Sequence, residues 1–105
     1  MDIEDREILD EFASRLRTLC PSARIWAFGS RARDEGAADS DLDVCVVLDQ
    51  TEAAIRDKVS DVAWEVGFRR DVLITTVVFS REMFERGPPS AGPLVRTILE
   101  EGVAV

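Results

Sequence analysis

Apolar residues recur at helical spacing near the start of the chain. Ile8, Leu9, Phe12, Leu16 and Leu19 fall on one stripe, so residues 2–20 are expected to form a helix. Asp2 suits its N-cap, acidic residues crowd the first turns where the helix dipole favours them, and Pro21 closes it. Arg24 to Phe28 has the pattern of a short strand, ended by Gly29-Ser30. Residues 31–40 are polar and charged, with Gly36, as expected of a loop with room for one helical turn. Leu42 to Leu48 is nearly continuous in apolar residues and rich in valine, the pattern of a strand covered on both faces. Residues 51–68 return to helical spacing, with Ile55, Val59, Val62 and Val66 on one face. Residues 71–79 form a β-branched run, expected to be a third strand that begins at Asp71. Ser80 can cap a short helix reaching Arg86, and Gly87-Pro88-Pro89 and Gly92-Pro93 bracket a loop. Pro93 suits the first turn of a last helix over 94–101, which Gly102 stops. This order predicts an α/β (α+β) fold in which helices pack on a small mixed sheet.

Length and charge narrow the picture. At 105 residues a single domain, 1–105, is expected, with little room for a second substrate domain. The formal net charge of −8 argues against direct nucleic acid binding and against an anionic membrane surface. The absence of histidine excludes a Ser-His-Asp triad, a Cys-His pair and any histidine metal site. Cys20 and Cys45 are far apart, and Cys45 lies in an apolar run, so reduced thiols and a cytoplasmic location are expected. No leader is expected from the opening residues, and no apolar run approaches membrane-spanning length.

Chemistry concentrates in one stretch. Gly29-Ser30 is followed by ten residues and then Asp41-Leu42-Asp43. A glycine after a strand lets backbone approach a ligand, and the N–H groups that follow can face phosphate oxygens. Ser30 adds a hydroxyl, and Arg31 and Arg33 add positive charge. Asp41 and Asp43, two apart at the head of a strand, project from one face. At about 5 Å their repulsion reaches a few kcal/mol at an effective dielectric of about 20. A divalent cation relieves such a pair, and Mg²⁺ favours one or two carboxylates plus substrate phosphates. Asp71, if it opens a neighbouring strand, can bring a third carboxylate to the same end. Three carboxylates can hold two metal ions, and Asp71 can also take an acceptor's proton. Each part alone has a plainer reading: a turn, a solvated strand start, a surface charge beside Arg69-Arg70, a basic turn. The joint pattern shifts the balance toward a site.

Gly-Ser-x10-Asp-x-Asp is the signature of the DNA polymerase β–like nucleotidyltransferase superfamily, and the segment from Phe28 to Leu48 resembles its minimal nucleotidyltransferase (MNT) branch. "RRDVLITTVV" resembles that branch's third-aspartate strand, and "PLVRTILEEGVAV" its C-terminal helix. Asp34 stands where many members have glycine. The resemblance implies that Gly29 and Ser30 bind the NTP triphosphate, that Asp41 and Asp43 bind Mg²⁺, and that Asp71 completes the metal site and acts as base. It assigns phosphate contacts to Arg31 or Arg33 less directly. It further implies two Mg²⁺ ions, ATP as co-substrate, and an antitoxin that transfers AMP to a tyrosine of a partner HEPN-domain ribonuclease toxin.

Two other functions stay open at this stage. One is an antitoxin that acts by stoichiometric binding with a weak nucleotide site. The other is a nucleotidyltransferase whose small-molecule acceptor is held by another subunit. The chain's size favours a macromolecular acceptor, and three aspartates favour catalysis. Met83, Phe84 and the Pro-rich loop at 87–93 are candidate partner contacts, unless they cap the core.

Overall fold

A computed structural model describes residues 1–36 and 39–105. Residues 37 and 38, inside the expected 31–40 loop, lie outside the described residues. Helix α1 spans Ile3–Leu19, and Asp2 caps it by accepting from the Asp5 N–H at 2.8 Å. Strand β1 spans Arg24–Phe28 and strand β2 Leu42–Leu48. Helix α2 spans Ala53–Arg70, followed by strand β3 over Ile74–Ser80. Helix α3 covers Arg81–Glu85, with Ser80 accepting from the Met83 N–H as its cap. A 3₁₀ turn at Pro88–Ala91 leads into helix α4 at Pro93–Glu101 and a two-residue strand β4 at Val103–Ala104.

The four strands lie in the order β3-β2-β1-β4. β1 is antiparallel to β2 and to β4, while β2 and β3 are parallel, so the sheet is mixed as the sequence predicts. The parallel pair follows from the α2 crossover between β2 and β3. β4 had no signature in the sequence, because two residues are too few for alternation. It exists because Gly102 ends α4 and drops Val103 and Ala104 opposite Ala27 and Trp26.

The sheet is covered on both faces, which accounts for the unbroken apolar run of β2. Leu42, Val44, Val46 and Leu48 join α1 and α2 in the larger cluster around Leu9, Phe12, Leu16, Val59 and Val66. Cys45 and Val47 point to the other side, where Phe84, Val95 and Ile98 meet them. Each fully buried side chain of this kind contributes about 1.5–3 kcal/mol relative to exposure. Burial pushes the Cys45 thiol up to about 12, so it behaves as a small hydrophobe rather than a nucleophile. Leu19, assigned to the α1 stripe, is instead about half exposed, since it sits in the last helical residue beyond the reach of the sheet. Phe84 is buried and stacks on Trp26 with ring centroids 5.2 Å apart, so it caps the core rather than a partner surface. No described helix is long and apolar enough to cross a membrane.

Charged side chains tie α1 to α2. Glu11 accepts from Arg70 Nη2 at 2.9 Å and also from Arg69 Nη2. Desolvation works against the ionised Glu11, but the hydrogen bonds from Arg70 and Arg69 outweigh it and hold its pKa below the ordinary 4.5. A carboxylate with a depressed folded-state pKa contributes stability above its unfolded value and loses it as pH falls through the folded one. Glu11→Gln is therefore expected to melt lower than the parent at neutral pH. The gap should begin to shrink as pH drops below about 4.5 and should vanish at strong acid. Melts across pH 2–8 would measure it, and a gap that does not vary with pH would mean that the ion pairs contribute nothing.

Candidate active site

The end of the sheet at which β1 stops and β2 and β3 start gathers the residues singled out by the sequence. Phe28 pairs with Asp43 in the antiparallel register, so the turn after β1 lies beside the first residues of β2. Gly29 sits in the left-handed region at φ +80°. A Cβ there would also stand 2.5 Å from Asp43 Oδ2. The backbone conformation calls for glycine, and a side chain there would also push the Asp43 carboxylate aside. Residues 30–34 form a compact turn in which the N–H groups of Arg33 and Glu35 reach the Ser30 carbonyl at 3.1 and 2.9 Å. Asp34 has φ +59°, which explains why glycine suits this position elsewhere; aspartate is among the few other residues that tolerate it.

Asp41 is exposed just before β2, and Asp43 is half-buried within it. Their separation of two residues puts both on the face that also carries Cys45 and Val47. Asp43 Oδ1 accepts a 2.5 Å hydrogen bond from the Thr75 hydroxyl, its register partner on β3. Two carboxylates at the mouth of a sheet, beside a turn closed by glycine, form a donor set suited to Mg²⁺ carried in by a nucleotide.

Asp71 departs from expectation. β3 begins at Ile74, not at Asp71. Asp71 instead caps α2 in the left-handed conformation, at φ 55° and ψ 46°, its N–H bonded to the Gly67 carbonyl. α2 runs two residues past the predicted end at 68 because Arg69 and Arg70 are held by Glu11, and the chain needs Asp71 to Leu73 to turn back. Asp71 is exposed and borders a cleft of about 360 Å³ with Arg31, Asp39, Ser40, Val72 and Leu73. Among the described residues, no three acidic or cysteine side chains are grouped closely enough to hold a metal ion.

The two arginines make contacts within the protein. Arg31 Nη1 donates to Asp5 Oδ1 at 2.6 Å, and its Nε donates to the Ser40 carbonyl at 2.8 Å. Both partners of that ion pair are largely buried. Asp5 was legible only as one more acid in the first turn of α1; nothing in the sequence marks it as the anchor of a loop 26 residues on. Exposed Arg33 bonds Glu35 at 2.9 Å and lies 3.6 Å from Glu101. Thr75 was likewise missed, because in a β-branched run threonine carries no signal beyond strand propensity.

The nucleotidyltransferase domain family matches residues 6–105, and the chain belongs to it. No curated protein matches the chain. Among solved structures, one described as a toxin-antitoxin with AMP-PNP superposes with a TM-score of 0.62 at 18% identity, covering 90% of this chain and 69% of the other. Another, a candidate nucleotidyltransferase from Sulfolobus solfataricus, superposes with a TM-score of 0.57 at 16% identity, covering 96% of this chain and 81% of the other. At these identities the likeness establishes the fold, a polymerase β-like nucleotidyltransferase sheet with flanking helices.

Proposed function

We propose that this chain, as one domain over residues 1–105, is an Mg²⁺-dependent MNT antitoxin that transfers AMP from ATP to a tyrosine of a cognate HEPN ribonuclease toxin. The observation that carries the reading is the fitted contact of Gly29 with the Asp43 carboxylate, beside Asp41. A solvated pair of surface aspartates would not require a left-handed glycine pressed against one of them. The similarity to a toxin-antitoxin structure holding AMP-PNP supports both the nucleotide and the class of partner.

Asp41 and Asp43 would hold the metal, and Gly29 and Ser30 would meet the triphosphate. Bound Mg²⁺ supplies neutralisation of phosphate charge. The acceptor hydroxyl oxygen forms a bond to the α-phosphorus, the bond from that phosphorus to pyrophosphate breaks, and the hydroxyl proton passes to water. Arg31 also braces the loop that carries Ser30. A protein acceptor is favoured by exposed apolar surface on α2. Trp64, Phe68 and Leu73 are all more than 60% exposed, and the two rings stack 5.2 Å apart. They line a groove of about 450 Å³ that shares Asp71, Val72 and Leu73 with the smaller cleft. Exposed aromatic and aliphatic side chains that adjoin in this way favour a contact with another macromolecule.

The test is a melt of the purified chain with and without Mg²⁺–ATP at constant ionic strength, followed by labelled-AMP transfer to the product of the neighbouring gene. At a hundredfold excess over Kd, binding should stabilise the fold by about 2.7 kcal/mol, which is roughly 10–20 °C for a domain of this size. No shift with nucleotide, alone or in the complex, would sink the reading. A shift without transfer of label would leave an antitoxin that works by binding.

A further inference from the structure

Asp43 is held from two sides. Its Oδ1 accepts from Thr75 Oγ1 at 2.5 Å, and its Oδ2 faces the space where Gly29 has no side chain. The parallel register sets Asp43 opposite Thr75, so both side chains leave the same face of neighbouring strands. That strand position is the one from which a third carboxylate could reach a metal on Asp43. Here it carries an uncharged hydroxyl. Asp71, four residues earlier, lies in the α2 cap outside the strand.

We propose that Thr75 is the positioning residue of a two-carboxylate metal–nucleotide site, in which Asp41 and Asp43 alone supply protein charge. The inference rests on the reading of the site given above. A hydroxyl bond to one oxygen restricts rotation of the Asp43 carboxylate and leaves the other oxygen turned toward the Gly29-Ser30 turn. Threonine suits this task because its branched Cβ is stiff in a strand. The bond also gives the Asp43 carboxylate a hydrogen-bond donor, which a third carboxylate would not do. Two carboxylates match the protein ligands that one Mg²⁺ takes when phosphates complete its shell. The site is thereby set for one nucleotide-borne ion rather than the two expected from three aspartates.

Mn²⁺ titration in the presence of AMP-PNP, followed through the free-Mn²⁺ paramagnetic signal, tests this on the whole chain. The parent is expected to bind one ion. Thr75→Val keeps the shape and removes the hydroxyl; it should weaken Mn²⁺–nucleotide binding by about 10-fold, the usual scale for losing a group that orients a ligand. Its metal-free melting temperature should stay close to the parent's. Thr75→Ser should restore binding, and Asp71→Asn should leave it unchanged. If Thr75→Val binds as tightly as the parent, or Asp71→Asn weakens binding as much as Asp41→Ala, the positioning role is overturned while the nucleotide site stands. If the parent itself binds no Mn²⁺–nucleotide, the site and this inference fall together.

Discussion

Asp41→Ala and Asp43→Asn should each cut AMP transfer by about 10²–10³-fold or more while the chain stays folded. Removing one fixed stabiliser of transition-state charge from an active site costs that much, and the proposed site has two carboxylates to hold the cation. Neither residue belongs to a core cluster, so neither change opens a cavity. The amide introduced by Asp43→Asn retains a carbonyl oxygen able to accept from Thr75, which preserves the local geometry. The two states of Asp43→Asn should then separate. Without metal it should melt at or above the parent, because a like charge beside Asp41 has gone. With Mg²⁺–ATP it should gain little of the roughly 10–20 °C expected for the parent. Parallel melts and transfer assays measure both. Undiminished transfer by either variant would exclude these aspartates from the chemistry, and loss of folding in both would favour a structural role.

The part of this site carried by short-range sequence was legible. Gly29-Ser30 after a strand and Asp41-x-Asp43 at the head of the next need only strand periodicity and turn chemistry, and the sheet pairing puts them together as expected. What depends on three-dimensional closure was not. The end of α2 is set by Glu11, some sixty residues earlier, so the start of β3 moved from Asp71 to Ile74 and carried the third aspartate out of the strand. Thr75 acquires meaning only once the register opposite Asp43 is known. The hold of Arg31 on Asp5 was not legible either, because a basic residue beside a glycine turn reads equally well as a phosphate contact or a structural tie. Its partner Asp5 lies on a helix that the sequence does not place near the loop. Of the expected apolar contacts, Met83 is exposed and Phe84 is buried, and exposed Trp64 and Phe68 add a second surface, since α2 shows its apolar residues on more than one face.

Asp5→Ala should be among the most destabilising single substitutions outside the apolar core. Asp5 is the only charged or polar residue counted as buried among those described, and its partner Arg31 keeps about an eighth of its side-chain surface in water. Removing the carboxylate leaves a guanidinium that cannot give up its charge in a place with little solvent. Breaking such a buried pair costs about 3 kcal/mol at the low end of what is usual. For a domain of this size that lowers the melting temperature by roughly 12–20 °C. A second effect should separate this pair from an ordinary stabilising contact. Arg31 also ties the Ser40 carbonyl across the loop, so releasing it loosens the Ser30 turn on one side and the approach to Asp41 on the other. Asp5→Ala should therefore weaken Mg²⁺–ATP binding even at temperatures where it is fully folded. Replacing both partners, Asp5→Leu with Arg31→Met, removes the buried charge altogether and should recover at least half of the lost stability, as apolar replacements of buried pairs commonly do. It should not recover nucleotide affinity, because the strap across the loop is still gone. Chemical denaturation of the three proteins, together with calorimetric titration of Mg²⁺–ATP at about 15 °C, separates the two contributions. A double variant that binds nucleotide as the parent does would reduce the Asp5–Arg31 pair to a stabiliser of the fold with no hand in shaping the site.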